Sequence, residues 1–344
     1  MRQIIISDST LRDGNHAAAH QISAEQVAGY CRMVDAAGVH VVEVGHGNGI
    51  GASSLQLGES KDPDARILKV ARENLRRAKL DVFCIPGFAT IEKDLKPALD
   101  AGVDVVRVAS HCTEADLTER HIAFTRKAGR TAYGVLMMIH MVGRDTLLDE
   151  ARKMESYGAE ALILMDSAGA SLPADVADRV SLLTQNLSIP VGYHAHNNLG
   201  MAVANTLAAL DAGACILDGC LRGYGAGAGN MQLEVLVAVL ERMGVKTGVD
   251  FYKLLDAADW AEKNIITAIP VIRSVSIVSG LAGVFSGFLK PVARISEQYG
   301  VDPRDLFFEL GRRKVVAGQE DLIIEAADEL SKQKKGTHHA EPRA

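Results

Sequence analysis

The sequence predicts a (β/α)8 barrel followed by a small all-helical C-terminal domain. Three observations carry that expectation. Apolar runs of strand length alternate with helical periodicity eight times in the first ~245 residues, the size of such a barrel. Four helix ends repeat one punctuation before the next strand: Ala37-Gly38-Val39, Ala101-Gly102-Val103, Tyr157-Gly158-Ala159 and Ala212-Gly213-Ala214. Glycine there supplies the left-handed residue that turns the chain back into the sheet. After Gly248 the strands stop and helix follows helix. A doubly wound open sheet shares the alternation, but no GxGxxG follows the first strand and the strand number suits closure.

In order, residues 3–7 form an apolar strand, and Ser23 caps a helix running to 37, with Gln26 at the capping-box position. Residues 40–44 (HVVEV) are the second strand, followed by a glycine-rich loop at 46–51 and a helix over 63–78. The remaining strands are expected at 81–85, 103–109, 131–139, 161–165, 191–196 and 216–220. Helices are expected between them at 91–101, 114–128, 145–157, 173–185 and 201–212, with 230–243 closing the series. Helices at 251–264, 280–299, 303–309 and 319–332 complete the reading. The division is a barrel domain at 1–265, a helical domain at 266–332 and a frayed polar tail at 333–344, whose His338 and His339 read as solvated surface.

Composition narrows the function classes. Of 344 residues, 48% are hydrophobic, which gives ample core, and 23% are charged, which is ordinary for a soluble protein. A net charge of −6 argues against a nucleic-acid binder. The N-terminal apolar run is too short for a signal peptide, and no window approaches a membrane span. The five cysteines are scattered without CxxC spacing, so reduced core thiols in a cytoplasmic protein are expected.

The stretch Val191-Gly192-Tyr193-His194-Ala195-His196 places two imidazoles on one face of a strand end. A hydrogen-bonded histidine pair would have the same spacing. In a parallel barrel, however, active sites form at the C-terminal strand ends. The polar residues expected there are Asp8, Arg12, Asp13, His16, Glu43, His46, Ser110, His111, His140, Asp166, Ser167, His194, His196, Asn197 and Asp218. More than half of the 11 histidines fall on this rim. Asp13 is the best third ligand, because two neutral imidazoles and a carboxylate hold a divalent ion with open positions. Such a set favours Mn²⁺, Mg²⁺ or Co²⁺, and a 2-oxo acid would chelate through its carboxylate and keto oxygens. Arg12 is placed either to pair with an enolate oxygen or to form a salt bridge with Glu43 or Asp8. His16 suits general acid–base work or loop packing. The glycine run from Gly223 to Asn230 is either a phosphate cradle or a loop that closely approaches the metal.

Asp8-Ser9-Thr10-Leu11-Arg12-Asp13-Gly14 resembles the D-T-T-L-R-D-G signature of pyruvate-dependent metal aldolases and their acyl-CoA-condensing relatives. Those relatives include isopropylmalate and homocitrate synthases and hydroxymethylglutaryl-CoA lyase. LRDGNH at 11–16, SHCTEAD at 110–116, MESYGA at 154–159, DSAG at 166–169, HAHNNL at 194–199, GAGAGN at 225–230 and LGRRKVVAGQED at 310–321 narrow it. Together these blocks resemble the 4-hydroxy-2-oxovalerate aldolase family of aromatic meta-cleavage, over nearly the whole chain. The resemblance implies a Mn²⁺-dependent retro-aldol split of a 4-hydroxy-2-oxo acid into pyruvate and an aldehyde. It implies Asp13, His194 and His196 as metal ligands, with Asn230 as a minor one. Arg12 would stabilise the enolate, His16 would take the C4 hydroxyl proton, and Ser167 would contact the pyruvate end. The C-terminal helices would dock an acylating acetaldehyde dehydrogenase, and an oligomer is expected.

One position departs from the family. Where the family has Tyr after Ala-Gly-Val, this chain reads Ala282-Gly283-Val284-Phe285. In the family that Tyr lines the aldehyde side and helps fix C4 stereochemistry. Losing one hydrogen bond, worth on the order of 1 kcal/mol, implies weaker stereocontrol or a different aldehyde. An acyl-CoA-condensing synthase is the alternative within the superfamily, and a silent scaffold barrel is the non-enzyme alternative. Retention of the Arg-Asp-His and His-x-His sets argues against a scaffold.

Overall fold

The structure, a computed structural model, describes residues 3–338, with side chains as far as residue 334. Eight parallel strands close in chain order: β1 (Ile5–Leu11), β2 (Val41–Val44), β3 (Lys79–Cys84), β4 (Val105–His111), β5 (Thr131–Met137), β6 (Ala161–Asp166), β7 (Val191–Ala195) and β8 (Ile216–Gly219). β8 returns to β1 in the register Ile5↔Ile216 to Asp8↔Gly219, so the sheet has no edge. The four punctuating glycines all have positive φ, from 81° at Gly38 to 102° at Gly213. Ser23 and Gln26 form the expected reciprocal cap on the helix Ala24–Ala37.

Two layers of core hold the barrel. Between sheet and helices, residues such as Val42, Leu80, Val106, Leu136, Leu162 and Leu217 are fully buried. The helix Phe251–Asn264 joins this layer, and its Trp260 ring lies where a Cβ on Gly29 would sit. Inside the barrel, Val135, Ile163 and Met165 on β5 and β6 fill one half. The other half, from β8 through β1–β4, is polar, with Ser7, Ser9, Glu43, Asp81, Arg107 and Asp218 all fully buried.

The C-terminal helices Ser274–Ala282, Leu289–Tyr299, Pro303–Arg312 and Asp321–His338 surround a separate core of Val284, Phe288, Val292, Leu306, Phe307 and Leu310. Each such buried side chain contributes roughly 1.5–3 kcal/mol. All five cysteines are buried, and no disulfide forms among the described residues. No described helix is long and apolar enough to cross a membrane.

Several elements differ from expectation. β1 extends through Asp8, Ser9 and Thr10 to Leu11 rather than ending at 7. Its polar side chains read as a loop in sequence, but each finds a buried partner. Tyr30 Oη donates to Asp8 Oδ2 at 2.6 Å, and Ser9 Oγ donates to Asp218 Oδ1 at 2.8 Å. The expected helix over 280–299 is broken in two, because Gly283 ends the first helix at φ 65° and a short turn, Ser286–Phe288, intervenes. The closing barrel helix begins at Leu233, since Asn230 and Gln232 bridge to His196 and Cys220 instead. The last helix continues to His338, so residues 333–338, assigned by composition to a frayed tail, are helical. Residues 339–344, His339 among them, and the His338 side chain lie outside the described residues.

Candidate active site

The C-terminal ends of β1 and β7 bring three donors together. Ligand atoms of Asp13, His194 and His196 lie within 4.8 Å of one another, and all three residues are buried. Asp13 Oδ2 stands 4.0 Å from His194 Nε2 and 3.8 Å from His196 Nε2. His194 and His196 come from one strand end, and their rings meet edge to face at 5.2 Å.

The surroundings prepare these atoms to ligate. His194 Nδ1 donates to Asp218 Oδ2 at 2.7 Å, which leaves the Nε2 lone pair facing Asp13. Burial lowers the His196 pKa to about 4, so its ring is neutral at physiological pH. Burial works to raise the Asp13 carboxyl. The ring of His196, the Arg12 guanidinium and the rings of His16 and His194 outweigh it and hold the group well below the usual carboxylate range. His196 Nδ1 and Asn230 Oδ1 are buried without a hydrogen-bond partner among the described residues. Asn230 donates its amide to Asp13 Oδ2 and stands 3.4 Å from His194 Nε2, so its head faces the same centre. A Cβ on Gly225 would lie 2.7 Å from Asp13 Oδ2. Of the two roles open to the glycine run, close approach is therefore the one the geometry supports. Two imidazoles, a carboxylate and an amide suit a divalent ion with open positions.

Arg12 forms the salt bridge to Glu43 that its sequence left open. Its Nε donates to Glu43 Oε2 at 2.7 Å and its Nη1 to Asp13 Oδ1 at 3.0 Å, with the guanidinium 4.5 Å over the Phe83 ring. Nη2 is buried with no hydrogen-bond partner among the described residues. A donor fixed by two carboxylates and left unpaired is poised for an oxygen that acquires negative charge. His16, on the short helix Gly14–Ala17, has Nε2 4.0 Å from Asp13 Oδ1. Burial lowers its pKa to about 4, leaving a neutral ring able to accept a proton.

Phe285 meets His16 edge to face at 6.4 Å and lines two cavities. One, of about 290 Å³, is lined by Ser110, His111, Ser167, Phe285 and residues 316–318 of the C-terminal domain. The other, of about 690 Å³, is lined by His16, His20, Gly225, Phe285 and Lys290. Ser167 Oγ accepts from Met138 N at 3.3 Å, and its carbonyl accepts from Ser286 N at 3.0 Å, tying the barrel mouth to the C-terminal domain.

Other rim residues serve structure. Asp8 faces the helix layer, and Asp166 accepts from Ala170 N and Ser171 N. Asn197 Oδ1 accepts from Ala202 N, and His140 Nε2 meets Gly283 O at 3.0 Å. His46 stacks on His20 at 3.7 Å, and in the loop after β2 Gly47 N donates to His20 Nδ1 and Asn48 N to His46 Nδ1. Sequence reasoning missed His20 and Arg107. For Arg107 the signal was present, as one charge at an alternating position of an otherwise apolar strand.

Comparison with known proteins accords with this arrangement. The HMGL-like family model matches residues 3–260, and the DmpG-like communication domain matches residues 270–332. The 4-hydroxy-2-oxovalerate aldolase of Spirochaeta aurantia is 62% identical, over 95% of this chain and 96% of the relative. That of Pectobacterium atrosepticum is 58% identical over 98% of both. Among solved structures, the carboxyl transferase domain of Rhizobium etli pyruvate carboxylase superposes with a TM-score of 0.82 at 15% identity. That match covers 97% of this chain but 61% of the other, and at such identity it speaks for the fold alone. With a family model over most of its length and near full-length relatives above half identity, the chain belongs to the 4-hydroxy-2-oxovalerate aldolase family of HMGL-like barrels.

Proposed function

We propose that this chain is a carbon–carbon lyase. It cleaves a 4-hydroxy-2-oxo acid of the 4-hydroxy-2-oxopentanoate type into pyruvate and an aldehyde such as acetaldehyde, and runs the reverse addition. The observation that carries the reading is the unpaired Arg12 Nη2 beside the buried Asp13, His194 and His196 donors, with neutral His16 on the same rim.

Asp13, His194 and His196 would hold the divalent ion, with Asn230 as a further ligand, and Mn²⁺ would suit the set, with Mg²⁺ or Co²⁺ as substitutes. The ion supplies Lewis-acid stabilisation of charge on the C2 oxygen when bound. His16 accepts the C4 hydroxyl proton. The C3–C4 bond then breaks, its electron pair moves toward the C2 oxygen, and the aldehyde leaves. Arg12 Nη2 donates to that oxygen as its charge grows, and protonation at C3 completes pyruvate. Ser167 borders the pyruvate end, and Phe285 borders the aldehyde. Without a phenolic hydroxyl at 285, discrimination between C4 enantiomers is weak.

The helical domain docks an acylating acetaldehyde dehydrogenase and passes it the aldehyde, in a cytoplasmic route of aromatic catabolism. The match to a communication domain supports this, as do exposed Ile277 and Leu281, one helical turn apart on Ser274–Ala282. Size-exclusion chromatography of the two proteins co-expressed tests it, and an aldolase that elutes alone throughout removes the partnership. The activity itself is tested by pyruvate release from racemic 4-hydroxy-2-oxopentanoate, coupled to lactate dehydrogenase, on metal-stripped protein with and without Mn²⁺. Pyruvate that appears only with metal is expected. None under either condition, from folded protein, overturns the reading.

A further inference from the structure

The barrel interior holds an arginine that the chemistry above does not use. Arg107, in the middle of β4, is fully buried, and its guanidinium reaches across the polar half of the barrel. Nη1 donates to Asp218 Oδ2 at 2.5 Å and Nη2 to Ser7 Oγ at 2.5 Å. Nε lies 2.6 Å from Asp81 Oδ2 and 3.8 Å from Glu43 Oε1, close in charge but off the hydrogen-bond axis.

Two of these carboxylates stand directly behind the reactive groups. Asp218 Oδ2, the oxygen that receives Arg107, also accepts His194 Nδ1 at 2.7 Å. Asp218 Oδ1 is occupied by Ser9 Oγ at 2.8 Å. Glu43 uses its Oε2 on Arg12 Nε at 2.7 Å. One guanidinium thus backs the carboxylate that orients a metal ligand and lies near the one that orients Arg12.

Stability does not account for such a group. Burying an arginine among carboxylates roughly offsets its own desolvation, and apolar replacements are often neutral or stabilising. The opposite half of the same interior is filled by Val135, Ile163 and Met165, so apolar packing works at this radius. What the ionic layer adds is direction. With Arg107 and Ser9 in place, the Asp218 carboxylate cannot turn about its own axis, and its remaining lone pair points at His194 Nδ1. His194 then carries its proton on Nδ1 and offers Nε2 to the centre.

We propose that Arg107 is a positioning residue, which fixes the orientation and tautomer of His194 through Asp218 and so sets the affinity of the site for its divalent ion. The proposal rests on the ligand assignment made above. Its test is titration of metal-stripped protein with Mn²⁺, followed by the electron paramagnetic resonance signal of the free ion, with thermal melts alongside. Arg107→Lys keeps the buried positive charge but loses the two-armed geometry. Its Mn²⁺ affinity is expected to fall about 10- to 100-fold, the usual effect of losing the partner behind a metal ligand. Ser7→Ala removes an Arg107 contact that does not lead to Asp218, and it should bind within threefold of wild type. Affinity unchanged in Arg107→Lys, or weakened equally in Ser7→Ala, overturns the proposal. Should Arg107→Lys fail to fold, Asp218→Asn probes the same link, and undiminished Mn²⁺ binding there overturns it as well. Asp13→Asn separates the two layers of inference. If it binds Mn²⁺ as wild type does, the ligand assignment has failed rather than the role of Arg107.

Discussion

Replacing Gly225 with alanine places a methyl group against the candidate metal centre. The added Cβ would stand 2.5 Å from Asn230 Oδ1, 2.7 Å from Asp13 Oδ2 and 2.8 Å from Asn230 Cγ. Ordinary contact begins at about 3.4 Å, so the Asp13 oxygen must give by roughly 0.7 Å or the loop must lift by as much. Backbone strain does not enter, because Gly225 is absent from the glycines with positive φ. Asp13 has little freedom to retreat, since Arg12 Nη1 holds its other oxygen at 3.0 Å. Overpacking of this kind costs about 1–3 kcal/mol of stability. A misplacement approaching 1 Å at a reacting centre costs on the order of 100-fold in rate. Gly225→Ala is therefore expected to fold, to lose roughly 30- to 100-fold in kcat and to bind Mn²⁺ about 10-fold more weakly. Pyruvate release coupled to lactate dehydrogenase, across a Mn²⁺ titration, measures both. A variant with kcat and Mn²⁺ affinity within twofold of wild type would refute the close-approach geometry.

Arg12→Lys removes the unpaired Nη2 while keeping a cation near Glu43; kcat should fall about 100- to 1,000-fold with Mn²⁺ binding within threefold of wild type. A loss below tenfold would detach Arg12 from the charge-bearing oxygen. Phe285→Tyr restores a hydroxyl on the aldehyde side and should widen the ratio of kcat/KM between C4 enantiomers about fivefold, the worth of roughly 1 kcal/mol. Strict single-enantiomer turnover by the wild-type chain would end that argument. Tyr30→Phe deletes the 2.6 Å donor to buried Asp8, far from the chemistry, and should lower stability to urea by about 1.5–3 kcal/mol while leaving turnover nearly intact. An unshifted urea midpoint would show that Thr10 alone suffices for Asp8.

Legibility in the sequence followed how local each cause was. Helix punctuation by Gly38, Gly102, Gly158 and Gly213 and the cap at Ser23 and Gln26 depend on neighbours in the chain, and they read correctly. The triad and Arg12 were visible because a parallel barrel sends every strand end to one rim, so residue type and strand position sufficed. The length of β1 was not visible. Asp8, Ser9 and Thr10 belong to a strand only because Tyr30, Asp218 and Leu221, distant in sequence, satisfy them. His140 and Asp166 were placed on the rim correctly, but their partners at Gly283 and at Ala170 and Ser171 make them structural. The break at Gly283 was hidden by apolar periodicity on both sides of it.

The polar half of the barrel interior also dictates when the site can form during folding. Ser9 meets Asp218 across 209 residues and Asn230 meets Asp13 across 217, both over the seam where the first strand joins the last. Contacts of such sequence separation carry the largest loop-closure cost and mature late. A nascent chain can complete β2 to β7 and still have no centre able to hold a divalent ion, because Asp13 enters only as the seam zips. Acquisition of metal thus reports the last act of assembly, and an intermediate with an open seam is blind to metal however much helix and strand it already contains.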